Sequence, residues 1–126
     1  MTKEIVSTTN APAAIGPYSQ AVVAGNLIFV SGQIPINPAT GEMPECIKDQ
    51  ARQSLTNLKA IVEAAGCTMD QVVKTTCFLA DIGDFVAFNE VYAEFFPAGS
   101  APARSAVEVG AIPKGAKCEV ECIVMR

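Results

Sequence analysis

Apolar side chains recur between Asp49 and Ala65 at spacings of four, three, four and three residues: Ala51, Leu55, Leu58, Val62 and Ala65. This spacing predicts an amphipathic α-helix, because it places all five side chains on one stripe. Gly66 follows directly and is a typical residue for the end of a helix. A helix with one apolar stripe needs an apolar surface to pack on, so the rest of the chain must supply it.

Most of the other apolar residues have the pattern of β-strands. Residues 21–36 contain two β-rich runs around the turn Ala24-Gly25-Asn26, which predicts a hairpin. The second run is interrupted at Gly32, where a glycine indicates a bulge or a close approach to the backbone. Three further strands are predicted at about 72–80, 103–109 and 117–125.

A second helix is predicted between Asp84, which can cap it, and Pro97, which ends it. Its apolar side is aromatic and consists of Phe85, Phe88, Tyr92, Phe95 and Phe96. The order of the elements predicts an α+β fold in which two helices pack on one face of a mixed sheet. We expect residues 1–126 to form a single domain, because this length suits one core and is short for two.

The composition excludes several classes of function. A net charge of −4 and a pI near 4.7, with scattered basic residues, argue against a nucleic-acid partner. The longest apolar runs are of strand length, which argues against a membrane-spanning helix. The first ten residues contain no apolar signal-peptide core, so a cytosolic protein is expected. The hydrophobic content of 50% suggests that another copy of the chain covers part of the surface.

The chain has five cysteines and no histidine, and no two cysteines form a C-x-x-C pair. This composition argues against a metal site, since common zinc sites combine such ligands. Cys77, Cys118 and Cys122 fall within apolar strand patterns, where a free thiol acts as a small hydrophobic side chain. Any chemistry must therefore rely on arginine, carboxylates, hydroxyls, amides and the backbone.

The last two strands can be interpreted as a hairpin centred near Ala111 and Ile112, with Arg104 roughly opposite Glu119. In this arrangement the helices cover Val107, Val109, Val120, Cys122 and Val124. The helix-free face then carries Arg104, Glu108, Glu119 and Glu121, together with Ser31 and Gln33 if the Gly32 break leaves the register unchanged.

This polar face has two interpretations. One is a solvated surface with a cross-strand ion pair worth about 0 to 1 kcal/mol. The other is an anion pocket in which Arg104 binds a carboxylate through two parallel hydrogen bonds while a glutamate handles a water molecule or a proton.

Two further residues are candidates for the same pocket. Asn89 places an amide on the apolar side of the second helix, where it makes either a buried hydrogen bond or a ligand contact. Tyr18 lies in the glycine-proline loop AIGPYSQ, which forms either a pocket wall or a surface turn with a packed tyrosine.

Seven segments together resemble the Rid, or YjgF-type, reactive intermediate deaminases over nearly the whole chain. They are APAAIGPYSQ (11–20), SGQIP (31–35), QARQSLTNLKAIVEAAG (50–66), VVKTTCFLAD (72–81), FNEVYAEFF (88–96), PARSAVEV (102–109) and IPKGAKCEVECI (112–123). The resemblance implies a chorismate-mutase-like fold assembled as a homotrimer, with the sheets inward and the helices outward. Three active sites would then lie in the clefts between subunits.

The resemblance also implies a reaction. Proteins of this type hydrolyse the enamines and imines released by pyridoxal-phosphate-dependent dehydratases, such as 2-aminoacrylate and 2-aminocrotonate, to 2-keto acids and ammonia. They are 2-iminobutanoate/2-iminopropanoate deaminases that need no bound cofactor, because the pyridoxal phosphate belongs to the upstream enzyme. No nucleic-acid or membrane partner is expected.

The residues of such a site can be assigned by position. Arg104 would bind the substrate carboxylate, and Glu119 would orient or activate the attacking water. The pocket would be lined by Tyr18, Ser31, Gly32, Asn89 and Ala106. Close relatives carry a cysteine where this chain has Ala106; if that position acts through its backbone N–H, alanine preserves the contact and loses only the thiol.

Two other functions fit the same motifs. One is a regulatory protein that binds a 2-keto acid in the same pocket. The other is an endoribonuclease that inhibits translation, a label that some relatives carry. The acidic pI and the absence of histidine argue against the second, because RNA cleavage usually needs phosphate contacts and a good acid/base pair.

Overall fold

Six strands form one mixed sheet in the computed structural model, which describes residues 2–126. The strands are β1 (Glu4–Val6), β2 (Ala21–Ala24), β3 (Leu27–Gln33), β4 (Val72–Leu79), β5 (Ala103–Glu108) and β6 (Cys118–Met125). The two α-helices are α1 (Ile47–Ala64) and α2 (Phe85–Phe95). The predicted α+β class is confirmed, and β1 is the only one of these elements that the sequence patterns did not predict.

Both helices follow the apolar stripes that predict them. The side chains of Leu55, Leu58 and Ile61 on α1 are fully buried, and Gly66 follows the helix in the left-handed conformation with φ +84°. Asp84 occupies the N-cap position of α2, but its side chain makes no capping hydrogen bond. Asp81 caps the preceding 3₁₀ turn instead, through a bond from the Gly83 amide.

The strand order is β1-β2-β3-β6-β4-β5. The β2–β3 hairpin is confirmed, and its turn contains Gly25 with φ +62°. Strands β4 and β5 are parallel, whereas all other neighbours are antiparallel. The central strands therefore come from distant parts of the sequence.

The predicted hairpin between the last two strands is wrong. β6 lies between β3 and β4, and β5 pairs only with β4, at the edge of the sheet. The reason lies in burial: β6 alternates buried residues along its length, whereas β5 contains no buried residue. A strand with little apolar surface to bury is tolerated at an edge, where solvent reaches it.

The break at Gly32 is a β-bulge. Val30 lies opposite Cys122 and Gln33 lies opposite Val120, so two residues of β3 face one residue of β6. The bulge shifts the register, and Gln33 consequently lies on the helix side with only 5% of its surface exposed. Its expected place on the helix-free face is therefore wrong.

The helix side of the sheet is the core. Val120, Cys122 and Val124 of β6 point to this side, as predicted, and Cys77, Cys118 and Cys122 are buried thiols. Val107 was expected on the same side, but it lies opposite Phe78 in the register and is 44% exposed on the helix-free face. Within residues 2–126, neither α-helix is long and apolar enough to cross a lipid bilayer.

Candidate active site

Arg104 lies on the helix side of the sheet, in register with Thr75 of β4 and thereby with the buried Cys122 of β6. Its Nη1 donates a hydrogen bond of 2.7 Å to Oδ1 of Asn89 on α2. Its guanidinium carbon lies 4.6 Å from the centroid of the Tyr92 ring and 5.3 Å from that of Phe85. Aromatic faces attract a guanidinium, so α2 holds this cation in place.

No carboxylate within residues 2–126 forms a salt bridge with Arg104. A guanidinium has five N–H donors, and Asn89 uses one of them. The remaining donors and the positive charge are thus available to an anion from outside this chain.

The ring below Arg104 is itself anchored. The Oη atom of Tyr92 lies 2.6 Å from Oγ1 of Thr75, whose side chain is fully buried. Burial raises the pKa of Tyr92, which keeps the phenol neutral. Arg104 therefore rests on a side chain that is hydrogen-bonded to the core.

Ala106 extends this arrangement along the free edge of β5. The Val109 N–H donates a bond of 2.9 Å to the Leu79 carbonyl of β4. Because alternate residues of a strand point their backbone groups to opposite sides, the N–H groups of Arg104 and Ala106 point away from β4 toward the open edge. The guanidinium and these N–H groups together can bind a carboxylate.

Glu119 lies on the other face of the sheet, opposite Phe78. Its carboxyl group is half-buried, and burial, with a smaller contribution from Glu121, raises its pKa. A group of this kind gives up and takes back a proton more readily near neutral pH than an ordinary glutamate does.

The Glu119 carboxyl lies directly over Gly32. A Cβ atom at position 32 would overlap the Glu119 Oε2 atom and come within 2.9 Å of Cδ. The sequence therefore predicted a close approach to this glycine correctly, and the approaching group is the chain's own glutamate.

Ser31 and Tyr18 lie beside this pair. The Ser31 hydroxyl donates a bond of 2.6 Å to the Ser19 carbonyl, so its oxygen remains free to accept a hydrogen bond. Tyr18 is exposed, and it lines a groove together with Gly32.

The candidate residues therefore form two groups. The first half-site contains Asn89, Arg104 and Ala106, and the second contains Tyr18, Ser31, Gly32 and Glu119. Arg104 and Glu119 belong to opposite faces, and their strands are separated by β4, which places the two backbones about 10 Å apart across the sheet. One chain does not bring the two groups onto one small substrate.

This separation corrects two predictions. Arg104 is not opposite Glu119, and Arg104 and Glu108 lie on the helix side instead of the helix-free face. Glu119 and Glu121 do lie on the helix-free face, as predicted. The error followed from the assumed hairpin, which gave β5 the wrong neighbour.

The sequence patterns identified Asn89 but not the residues that hold Arg104. The missed residues are Thr75, Phe85 and Tyr92. A signal was present, because Phe85, Asn89 and Tyr92 lie at i, i+4 and i+7 on α2 and so share one face. An amide flanked by two aromatic rings on one helix face can hold a cation from a neighbouring strand.

A family model described as Endoribonuclease L-PSP matches residues 8–126. The chain belongs to this family. One relative is the 2-iminobutanoate/2-iminopropanoate deaminase of Escherichia coli, which is 55% identical to this chain over 96% of both chains. A RutC family protein of Pyrococcus horikoshii is 54% identical over 98% of both chains.

Solved structures of Endoribonuclease L-PSP relatives have the same fold. The YjgF gene product of Escherichia coli superposes with a TM-score of 0.93 at 54% identity over 98% of both chains. Escherichia coli TdcF with bound serine superposes with a TM-score of 0.93 at 50% identity over 98% of both chains. The resemblance to the YjgF-type proteins, predicted from the seven segments, is thereby confirmed.

Proposed function

We propose that this protein is a hydrolase that converts 2-imino acids, including 2-iminobutanoate and 2-iminopropanoate, to 2-keto acids and ammonia. The observation that carries the proposal is the guanidinium of Arg104, which is held by Asn89 and two aromatic rings without a carboxylate partner in the described chain. A held, uncompensated arginine suits the carboxylate of a small acid. The name of the Escherichia coli relative supports the same reaction.

The complete site requires a second copy of the chain. Arg104 and Glu119 lie on different faces of one sheet, so a substrate that contacts both must lie between the Arg104 half-site of one copy and the Glu119 half-site of another. Exposed apolar side chains on the helix-free face, among them Ile5, Phe29 and Val107, favour such an assembly. We propose a homotrimer with one site in each cleft between subunits.

The reaction follows from these positions. Arg104 and the backbone N–H of Ala106 bind the substrate carboxylate, and Tyr18, Ser31 and Gly32 line the imine end. Glu119 accepts a proton from water as the water oxygen bonds to C2 and the C=N electron pair moves to nitrogen. That proton passes to the nitrogen and gives a carbinolamine. Its hydroxyl proton then moves through Glu119 to the amino nitrogen as the C–N bond breaks, the C=O bond forms and ammonia leaves.

This reaction uses no bound cofactor. An imine is already electrophilic, so water needs positioning and a proton acceptor more than it needs a metal. The substrates are products of pyridoxal-phosphate-dependent dehydratases, which makes such enzymes the proposed functional partners.

The direct test generates 2-aminoacrylate with a serine dehydratase and follows pyruvate formation with and without the protein. We expect Arg104→Ala to lower kcat/KM by about a hundredfold or more, because it removes a charge-assisted contact to the substrate. Arg52→Ala is the matched control, since Arg52 is an exposed arginine that pairs with Glu94 on the helix surface. Equal rates for Arg104→Ala and the wild type would contradict the assignment.

The same site also suits a regulatory protein that binds a 2-keto acid. The bound serine in Escherichia coli TdcF favours small amino-acid-like ligands in this family. Calorimetry that detects keto-acid binding dependent on Arg104, without faster imine hydrolysis, would support this function instead. Cleavage of RNA by highly purified protein, lost in Glu119→Gln, would support the endoribonuclease that the family description names.

A further inference from the structure

A groove with a volume of about 570 Å³ lies at one end of the sheet, beside the Glu119 half-site. Three connections form it: the loop before β2, the loop after β3 and the connection between β5 and β6. Its larger aliphatic lining residues are Pro12, Ile15, Ile34, Ile36, Pro38 and Pro113. The proposed reaction assigns no task to these side chains.

The buried polar side chains of the groove are already hydrogen-bonded. Gln20 accepts a bond of 2.7 Å from the Thr8 N–H and donates one of 2.8 Å to the Pro12 carbonyl. Gln33 donates a bond of 3.1 Å to the Ser31 carbonyl. These amides hold the chain and do not need a ligand, so the groove offers an occupant mainly apolar contacts.

The wall of the groove is fixed from the core. Asn57 of α1 is fully buried, and its Nδ2 atom donates bonds of 3.2 Å to the Ile34 carbonyl and 2.9 Å to the Ile36 carbonyl. Its Oδ1 atom accepts a bond of 2.8 Å from Gln53. The segment that carries the two isoleucines is therefore held in one conformation before any ligand binds.

The groove is continuous with the proposed reaction centre. Gly32 lines the groove and also lies against the Glu119 carboxyl, so the groove begins at the residue that this carboxyl covers. A substrate whose imine carbon lies beside Glu119 can therefore place the alkyl group on that carbon in the groove.

We infer that this groove binds the alkyl side chain of the substrate and that Ile34 and Ile36 make the protein prefer aliphatic 2-imino acids of four to six carbons over the three-carbon compound. The inference rests on the proposed function. It adds the class of side chain that the site accepts and the residues that select it. Burial of additional methylene groups supplies the preference, since each one transferred from water to an apolar wall strengthens binding.

The test compares two imines on the same proteins. An amino acid oxidase generates 2-iminopropanoate from alanine and 4-methyl-2-iminopentanoate from leucine, and semicarbazide traps the imine that the protein has not hydrolysed. For the wild type we expect kcat/KM to be about tenfold higher for the larger imine, mainly through a lower KM. Ile36→Phe, which narrows the groove, should remove this preference, because it should lower kcat/KM for the larger imine by about tenfold more than for 2-iminopropanoate.

Two further variants complete the experiment. Ile82→Phe is the matched control, because Ile82 is a half-exposed isoleucine outside the groove lining, and it should keep the preference. Ile15→Trp narrows the groove from its rim, and since Ile15 is 84% exposed this change leaves the core intact even if Ile36→Phe does not fold.

The outcomes separate the two proposals. If the wild type hydrolyses 2-iminopropanoate but neither groove variant alters its relative activity on the larger imine, the inference is wrong and the proposed function stands. If the wild type accelerates neither reaction, the proposed function is wrong and the inference falls with it. Loss of activity on the larger imine alone, in Ile36→Phe or Ile15→Trp, supports the inference that the groove binds the alkyl side chain.

Discussion

The centroid of the Tyr92 ring lies 4.6 Å from the guanidinium carbon of Arg104. The hydroxyl of the same tyrosine lies 2.6 Å from the hydroxyl of the buried Thr75. The hydrophobic core thus sets the position of a guanidinium that has no carboxylate partner within residues 2–126. The hydrogen bond between Tyr92 and Thr75 therefore affects both the stability of the fold and the position of Arg104.

A double-mutant cycle measures this contact. Tyr92→Phe should lower the free energy of unfolding by about 1 to 2 kcal/mol, because it leaves the Thr75 hydroxyl buried without a partner. Thr75→Val should have a similar cost. The double variant should be less destabilised than the sum of the two, since it removes both polar groups. Urea unfolding gives the three values, and strict additivity would show that the two hydroxyls do not interact.

Asn89→Ala should separate binding from chemistry. The variant loses the hydrogen bond that orients Arg104, so we expect KM to rise by about tenfold while kcat changes by less than about threefold. Steady-state kinetics with 2-aminoacrylate gives both constants. Glu90→Ala, on the same helix but paired with Lys48 at the surface, is the control. A fall in kcat with constant KM would place Asn89 in the chemical step instead.

Mixing two inactive variants should restore activity. Arg104→Ala and Glu119→Gln each damage one half-site, but a mixed assembly of the proposed homotrimer would contain clefts with an intact Arg104 from one copy and an intact Glu119 from another. Random assembly of equal amounts should recover about a quarter of the wild-type rate. The measurement is the imine hydrolysis rate after joint refolding. No recovery, with oligomers confirmed to be mixed, would show that both residues act from one chain.

Glu119→Gln should lose activity and gain stability at neutral pH. Because the folded state raises the pKa of Glu119, its stabilising contribution is complete below the unfolded pKa and is lost as the pH rises through the folded pKa. The ionised group is thus a cost at pH 7, and its removal should raise the melting temperature by about 1 to 3 °C. Below the unfolded pKa this gain should be absent. Melting curves at both pH values test this, and a lower melting temperature at pH 7 would contradict it.

Cys46 should be the only rapidly reactive thiol of the native protein. It is exposed, whereas burial raises the pKa of Cys77 to about 11 and the pKa values of Cys118 and Cys122 to about 12. Cys67 is buried as well. Titration with a chromogenic disulfide reagent should show one fast thiol and four that react only on unfolding. Cys46→Ser should abolish the fast phase.

The sequence predicts the helices and all strands except β1, but it does not predict correctly which strands pair in the sheet. The spacing of Leu55, Leu58 and Val62 marks α1 because a helix stripe is a local pattern. Strand pairing is not local: the alternation in β5 fits either β4 or β6 as its neighbour. β1 was missed because it has only three residues and little burial.

The candidate residues were identified from the residue pattern and from the resemblance, but their geometry was not. The sequence identified Arg104 and Glu119, yet it placed them face to face in one chain. The face on which Arg104 lies depends on which alternate residues of β5 point toward the helices. The sequence favoured the set that contains Val107, an apolar residue that is in fact exposed. An apolar side chain that another copy can cover looks, in the sequence, like one that belongs to the core.

Gly32 has one further implication. Its backbone does not adopt the left-handed conformation that reserves a position for glycine, so the constraint is purely one of space beneath the Glu119 carboxyl. A methyl group at position 32 would therefore displace the Glu119 carboxyl, whereas an acid shorter by one methylene group at position 119 would leave room for it. The backbone of β3 at Gly32 thus limits how far the Glu119 side chain of β6 can extend.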